Sequence, residues 1–174
     1  MKLRIWSAGC STGEEPLTIA MALHEAGLFD RLDIEINASD ASFVGIQTAR
    51  RGVYAETRVR DLPTAMRLKF FRQTSEGWQV IPELQKRIQW SVTNLIVESD
   101  IAELAHSDII VCQNVFIYFS ESAICQTLRF FEKQMPRGGY LFTDNGEYYT
   151  ELISHLGIFE RQEIPGASIW MKEC

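Results

Sequence analysis

Short apolar runs alternate with helical patterns along most of this chain. The apolar runs Leu3–Trp6 and Ile34–Ala38 are each followed by apolar residues at helical spacing, in Leu17–Leu23 after the first run and in Phe43–Ala49 after the second. Strands that alternate with helices build βαβ units, and such units assemble into a parallel sheet covered by helices. The pattern therefore predicts an α/β fold with a mostly parallel sheet.

The second half of the chain extends this sheet. Three further strands are predicted, at Gln89–Val92, Ile109–Cys112 and Tyr140–Phe142. The segment Ser120–Met135 has an apolar stripe at helical spacing and predicts a core helix. Near the end, Phe159–Ile164 and Ser168–Lys172 flank Pro165-Gly166, which is typical of two antiparallel strands joined by a tight turn. We expect seven strands, of which the last two form an antiparallel hairpin.

The middle of the chain, Gly52–Arg87, is less regular. A short helix is predicted from Leu62-Pro63 through Phe71, followed by the strand-like Trp78-Gln79-Val80. We interpret residues 55–87 as a small insertion at the edge of the sheet. Because no repeat and no low-complexity segment divides the chain, residues 1–174 are predicted to form a single domain.

Composition excludes several classes of function. The chain of 174 residues has 17 basic and 23 acidic residues and a formal charge of −6, which disfavours nucleic acid as a partner because that binding depends on Lys and Arg. No apolar run approaches the roughly 18 residues of a membrane helix, so no membrane insertion is expected. The cysteines lack C-x-x-C spacing, which predicts neither disulfides nor a metal site and is typical of a cytoplasmic protein. They are Cys10, Cys112, Cys125 and Cys174.

The strongest local signal is the segment Ile5–Pro16, a strand that runs into a glycine-containing turn and then a helix. Small residues such as Ala8 and Gly9 let a ligand approach the backbone, where the amides at the start of the helix face it. Gly9 and Gly13 supply neither G-x-G-x-x-G nor a phosphate loop. A pyrophosphate ligand is therefore disfavoured.

Glu14 and Glu15 begin the predicted helix. Two adjacent carboxylates repel a polyphosphate but attract a ligand that carries an ammonium and a sulfonium group, as S-adenosylmethionine (SAM) does. The alternative is that they only stabilise the first helical turn through the helix dipole.

Further polar side chains are predicted where the strands end. Asp40 ends the second strand, where nucleotide-binding sheets use an acid to accept both ribose hydroxyls; the alternative is that Asp40 caps the next helix. Thr93-Asn94-Leu95 and Cys112-Gln113-Asn114 follow the third and fourth strands, and these polar residues either line a ligand crevice or serve as turn residues. Since strand ends share one edge of a parallel sheet, we expect these groups to lie close together.

Seven segments, in order and spacing, closely resemble the catalytic domain of CheR-type chemoreceptor glutamate methyltransferases. They are Ile5–Pro16, Ala38-Ser39-Asp40, Ala49–Tyr54, Pro82-Glu83-Leu84, Asn94-Leu95, Asn114–Phe119 and Gly138–Phe142. The resemblance covers nearly the whole chain. It implies a Rossmann-like SAM-dependent methyltransferase fold with SAM as cofactor and S-adenosylhomocysteine as product.

The resemblance also implies an activity and roles for individual residues. The activity is protein-glutamate O-methyltransfer to the cytoplasmic region of bacterial chemoreceptors. An ionised glutamate, with a pKa near 4.3, needs no general base. The implied cofactor ligands are Glu14 at the methionine moiety, Asp40 at the ribose, and Asn94 and Leu95 at the adenine. Gln113 and Asn114 would face the cofactor, with Ala8 and Gly9 in the loop beside it. Tyr118 would lie near the transferred methyl group, and Tyr118 and Gln113 are the predicted catalytic residues.

The chain departs from the family pattern at three places. The family has a helical N-terminal domain, which we expect to be absent here because the chain begins at the first strand. Gln113 replaces a typical Arg, and Thr143–Glu147 replaces Gly-His-Ser-Glu. These departures leave open a second hypothesis, a non-catalytic SAM-binding sensor or scaffold. A third hypothesis is a methyltransferase with another substrate. Amino methylation of nucleic acid is disfavoured because Asn114–Ile117 replaces the usual Asn/Asp-Pro-Pro-Tyr/Phe motif.

Overall fold

The structure is a computed structural model that describes residues 2–173, so Cys174 lies outside the described residues. Ten strands form within this range. They are β1 (Lys2–Ala8), β2 (Asp33–Asp40), β3 (Val53–Tyr54), β4 (Phe71–Thr74), β5 (Gly77–Val80), β6 (Ile88–Val92), β7 (Ile109–Cys112), β8 (Tyr140–Thr143), β9 (Glu160–Ile164) and β10 (Ala167–Met171). Seven of them form one sheet in the order β6-β2-β1-β7-β8-β10-β9.

The direction of these strands confirms the predicted topology. The pairs β1–β2, β2–β6, β1–β7 and β7–β8 are parallel, whereas β10 runs antiparallel to both β8 and β9. In β1, Ile5 lies opposite Ile36 of β2 on one side and Ile109 of β7 on the other. The strand order reverses between β1 and β7, and such a reversal opens a crevice at the carboxyl ends of the strands.

Eight helices connect or cover the strands. They are α1 (Glu14–Glu25), α2 (Phe43–Arg51), α3 (Glu56–Val59), α4 (Thr64–Phe70), α5 (Pro82–Gln85), α6 (Glu98–Ala105), α7 (Glu121–Gln134) and α8 (Glu147–Leu156). The predicted core helix is α7, which begins after Ser120, whose hydroxyl accepts the Ala123 N–H. A hydroxyl at this position satisfies a backbone donor that the helix leaves unpaired. No helix of residues 2–173 is long and apolar enough to cross a bilayer.

Each face of the sheet buries its own hydrophobic core. On one face Trp6 is fully buried and meets the edge of Phe131 of α7, with ring centroids 5.4 Å apart. On the other face Ile36 and Ala38 of β2 pack with Leu17 of α1. Successive side chains of a strand point to opposite faces of the sheet, so each central strand contributes alternate residues to the two cores.

The insertion contributes β4 and β5 to a separate three-stranded sheet in the order β3-β5-β4, which β3 completes from just before residue 55. The sequence placed it at the edge of the main sheet; it pairs with no strand of that sheet within the described residues and instead shares the core around α1, through Phe71 and Trp78. The hydroxyl of Tyr54 donates to the carbonyl oxygen of Thr12 at 2.8 Å. This bond ties the three-stranded sheet directly to the glycine loop.

Candidate functional site

A cavity of about 660 Å³ opens at the carboxyl ends of β1, β2, β6 and β7. This volume lies within the range of small-molecule sites, about 300–1,000 Å³. The cavity is lined by eight of the predicted site residues, Gly9, Glu14, Asp40, Asn94, Leu95, Gln113, Asn114 and Tyr118. The ninth, Ala8, does not line it: the side chain is fully buried in the core with Trp6, because both point to the same face of β1.

The glycine loop needs glycine at position 9 for two reasons. Gly9 has a φ of +85°, which side chains other than hydrogen disfavour, and a Cβ there would stand 2.4 Å from Cγ2 of Val115. The N–H groups of Gly9 and Cys10 both donate to the carbonyl oxygen of Ser39, at 2.8 and 2.9 Å. The loop after β1 is therefore held tightly against the ends of β2 and β7.

Asp40 organises the neighbouring loops while it lines the cavity. Its two carboxylate oxygens accept the N–H groups of Ser11 and Ser42, both at 2.8 Å. The alternative that Asp40 caps α2 is wrong, because the cap is Ser42, whose hydroxyl accepts the Gly45 N–H at 3.0 Å. Each carboxylate oxygen has a second lone pair, so Asp40 retains the capacity to accept hydrogen bonds from a ligand.

Glu14 presents an oxygen without a hydrogen bond at the cavity wall. The hydroxyl of Thr12 donates to Oε2 of Glu14 at 2.6 Å, but the buried Oε1 accepts no hydrogen bond from residues 2–173. Nη1 of Arg58 forms an ion pair with Oε1 at 3.4 Å, without hydrogen-bond geometry. Buried polar atoms are nearly always paired, so this oxygen is well placed to bind a cationic ligand group.

Glu15 is a third acid in the cavity wall, and its pKa is perturbed. Burial raises the pKa from its ordinary 4.5 to about 7, opposed by the hydrogen bond from Ser7 and reinforced by the nearby carboxylate of Asp144. The Ser7 hydroxyl donates to Oε1 of Glu15 at 2.6 Å. Glu15 is therefore partly protonated near neutral pH.

This pKa predicts the pH dependence of stability. The folded state binds the Glu15 proton more tightly than the unfolded state does, so stability from this group is complete below about pH 4.5 and is lost as the pH rises through about 7. Glu15→Gln keeps an acceptor for Ser7 without a charge. We expect the variant to match the parent at about pH 4 and to exceed its free energy of unfolding by up to about 3 kcal/mol at about pH 8.

Urea denaturation at both pH values measures this difference. The exposed Glu83 provides a matched control, and Glu83→Gln should leave the free energy of unfolding within about 0.5 kcal/mol of the parent at each pH. An equal stability difference between Glu15→Gln and the parent at both pH values would show that the Glu15 pKa is not raised.

The loop after β7 is held in an unusual conformation. Asn114 has a φ of +58°, in the left-handed region that Asn tolerates better than most residues. Its N–H donates to Oδ1 of Asp144 at 2.5 Å, while Oδ2 of Asp144 is buried without a hydrogen-bond donor among the described residues. Asp144 is one of the residues at which the chain departs from the family pattern, and it fixes the backbone beside the exposed Gln113.

In the loop after β6, Asn94 both forms a turn and lines the cavity, the two roles that the sequence left open. Oδ1 of Asn94 accepts the Ile96 N–H at 3.2 Å, as a turn residue does, and Asn94 also lines the cavity. Leu95 is buried beside it, and Oγ1 of Thr93 is buried without a partner among residues 2–173. On the opposite side Tyr118, in a 3₁₀ turn, is 82% exposed.

Sequence reasoning missed one charged lining residue, Arg58. It lies on α3 of the insertion, in a segment where no helix was predicted, and it is separated from Glu14 by 44 positions. No periodicity or motif in the sequence indicates that Arg58 lies close to Glu14.

Comparison with known proteins identifies the family. The family described as "CheR methyltransferase, SAM binding domain" matches residues 1–162. Chemotaxis protein methyltransferase 2 of Vibrio cholerae is 32% identical over 154 residues, covering 87% of this chain and 54% of the relative. The chemotaxis protein methyltransferase of Borreliella burgdorferi is 36% identical over 149 residues, covering 84% and 52%. The chain thus spans about half the length of these relatives.

Solved structures show the same fold at low sequence identity. A TehB-like SAM-dependent methyltransferase from Corynebacterium glutamicum has a TM-score of 0.60 at 13% identity, covering 98% of this chain and 80% of its own. The N-methyltransferase NodS from Bradyrhizobium japonicum, in complex with S-adenosylhomocysteine, has a TM-score of 0.57 at 13% identity, covering 98% and 78%. The family match over residues 1–162 shows that the chain belongs to the CheR methyltransferase family and carries its SAM-binding domain.

Proposed function

We propose that this chain binds SAM in the cavity at the strand ends and takes part in methylating glutamate side chains of a bacterial chemoreceptor. The observation that carries the proposal is the pair of carboxylates, Glu14 and Asp40, in one cavity beside the glycine loop of Gly9. The names of the Vibrio and Borreliella relatives, both chemotaxis methyltransferases, support the chemotactic substrate. The proposed partner is the receptor's cytoplasmic region, which implies a cytoplasmic protein.

The residues in the cavity fit this cofactor. Oε1 of Glu14, which accepts no hydrogen bond from residues 2–173, suits the ammonium of the methionine moiety, and Asp40 suits the two ribose hydroxyls. Asn94 and the buried Leu95 suit the adenine, with Gln113 and Asn114 beside the cofactor. The tight loop at Gly9 brings the ligand close to the backbone, and Ala8 supports that loop from the core without touching the cavity.

Bound SAM supplies a methyl group on a sulfonium, and this chain's residues orient it and admit the acceptor. A glutamate acceptor is already ionised at neutral pH, so no side chain needs to remove a proton. Alignment of the carboxylate with the methyl group then provides most of the rate. We propose Tyr118 and Gln113 as the residues at the methyl end, since both are exposed at the rim of the cavity. We further propose that residues 1–174 act as one methyltransferase domain with an insertion around 55–87.

Two measurements test this function. Calorimetric titration with SAM and with S-adenosylhomocysteine measures binding, and transfer of labelled methyl from SAM to a receptor cytoplasmic fragment measures turnover as base-labile methyl ester. Binding with base-labile transfer is the expected result. Binding without transfer to any receptor fragment would favour the sensor or scaffold hypothesis, and no binding would reject the proposal.

Gln113 is the observation that favours the second hypothesis, and it gives a prediction. An Arg holds a carboxylate through two parallel, charge-assisted hydrogen bonds, which a neutral amide cannot form. We expect Gln113→Arg to raise kcat/KM for the receptor fragment by about 10-fold, the equivalent of about 1.4 kcal/mol. Initial rates at several acceptor concentrations measure this change.

The matched control is Gln113→Lys, which adds the same charge without the planar fork. We expect Gln113→Lys to raise kcat/KM by less than half of the factor expected for Gln113→Arg, because a single ammonium does not orient both carboxylate oxygens. An unchanged or lower kcat/KM in Gln113→Arg would show that Gln113 does not face the acceptor carboxylate.

A further inference from the structure

Arg58 brings a positive charge into a cavity wall that is otherwise acidic. Among the described residues that line the cavity it is the one basic side chain, and the charged residues it joins are Glu14, Glu15 and Asp40. Its side chain is 64% exposed, so its N–H donors are accessible to a ligand. None of the seven segments that resemble the family includes this residue.

The amino-acid end of SAM carries an ammonium and a carboxylate, two groups of opposite charge bonded to the same carbon atom. Groups that bind both must therefore be neighbours of opposite charge. Oε1 of Glu14 and Nη1 of Arg58 lie 3.4 Å apart and do not meet hydrogen-bond geometry, so each retains its capacity toward a ligand. A carboxylate placed instead beside Asp40 would meet a like charge.

The insertion holds Arg58 at this position through contacts of its own. Glu56, at the start of α3, accepts a hydrogen bond from the indole N–H of Trp78 and forms an ion pair with Arg67 at 2.7 Å. The neighbouring Val59 is buried in the core that the insertion shares with α1. The backbone of α3 is thus anchored on both sides of Arg58, and only the end of the side chain is free to adjust.

We propose that Arg58 binds the α-carboxylate of the cofactor, opposite Glu14, which binds its ammonium. This inference rests on the proposed function and adds a ligand-binding residue that the insertion supplies. It follows that cofactor affinity depends on the position of the insertion as well as on the loops of the main sheet. With the cofactor bound, the guanidinium of Arg58 would supply a charge-assisted contact to this carboxylate.

The test compares two ligands that differ at the amino-acid end. S-adenosylhomocysteine has the ammonium and the carboxylate, whereas 5′-methylthioadenosine has neither. Titration calorimetry on the chain with Arg58→Gln should show S-adenosylhomocysteine binding about 10-fold more weakly, the effect of losing one partly exposed charge-assisted contact. Affinity for 5′-methylthioadenosine should change by less than about 2-fold, because that ligand lacks the carboxylate.

Arg60→Gln is the matched control, since Arg60 lies in the same segment and pairs with the exposed Asp61. We expect it to bind both ligands like the parent, and Arg58→Lys to recover part of the affinity for S-adenosylhomocysteine. Thermal unfolding of each variant, without ligand, checks that the fold is intact.

Three results would overturn the inference. Equal or tighter binding of S-adenosylhomocysteine by Arg58→Gln would mean that Arg58 contributes nothing, or only competes with the cofactor's ammonium for Glu14. An equal loss for both ligands would mean that the substitution disturbs the loop rather than one ligand group. Failure of the parent chain to bind S-adenosylhomocysteine would overturn the proposed function first and this inference with it.

Discussion

Asp40→Ala is expected to weaken the binding of S-adenosylhomocysteine by about 100-fold or more. Asp40 is proposed to accept hydrogen bonds from both ribose hydroxyls, and each hydrogen bond to a charged group contributes about 1.5–3 kcal/mol. The substitution also leaves the N–H groups of Ser11 and Ser42 without their acceptor, which loosens the loops on both sides of the cavity. Titration calorimetry measures the affinity, and urea denaturation measures the accompanying loss of stability.

The same strand supplies a matched control. Asp33 and Asp40 are the first and last residues of β2, and Asp33 is exposed at the end remote from the cavity. Asp33→Ala removes the same carboxylate without touching the site, so the affinity for S-adenosylhomocysteine should be unchanged. If Asp40→Ala bound the ligand within about 3-fold of the parent, less than about 0.7 kcal/mol, the assignment of Asp40 to the ribose would be wrong.

Gly9→Ala is expected to lower the free energy of unfolding by about 3 kcal/mol or more. The new Cβ would stand 2.4 Å from Cγ2 of Val115, and overpacking of a filled core costs about 1–3 kcal/mol. The φ of +85° adds the cost of a left-handed conformation, about 1–2 kcal/mol for a residue with a Cβ. Because Val115 adjoins Asn114 in the cavity wall, cofactor binding should weaken as well. Urea denaturation and calorimetry measure the two effects.

Two variants separate the steric cost from the backbone cost. Gly157 has a φ of +61°, and no atom lies within 4 Å of the position that a Cβ would take there, so Gly157→Ala should show the backbone cost alone. Combining Gly9→Ala with Val115→Ala relieves the clash. The methyl group added at position 9 then fills part of the space left by the methyl groups removed at position 115. A Gly9→Ala variant no less stable than Gly157→Ala would mean that Val115 moves aside freely and that the loop is not tightly packed.

Local patterns were sufficient for most of the fold. Strands recur as short apolar runs, helices as apolar stripes at helical spacing, and the Pro165-Gly166 turn marks the hairpin of β9 and β10, which the structure confirms. The strand ends at Gly9 and Asp40 were predicted for the same reason, because a parallel sheet places its carboxyl ends together. The insertion was less well predicted, since its short strands form a sheet of their own and carry little periodicity.

Contacts between distant positions decided the details of the site. Arg58 reaches Glu14 across 44 positions, and Asp144 holds Asn114 across 30. Asp40 accepts from Ser11 although its own sequence neighbourhood suggested a helix cap, which Ser42 provides instead.

The sequence by itself determined the α/β topology, the glycine loop and the acids at the strand ends, because each follows from residues close together along the chain. The tertiary structure decided which of these acids has a buried oxygen without a hydrogen bond, why Glu15 holds its proton to about pH 7, and that the insertion brings a guanidinium into the cavity. Burial and charge interactions depend on distance in space, and folding sets that distance for residues that are far apart in sequence.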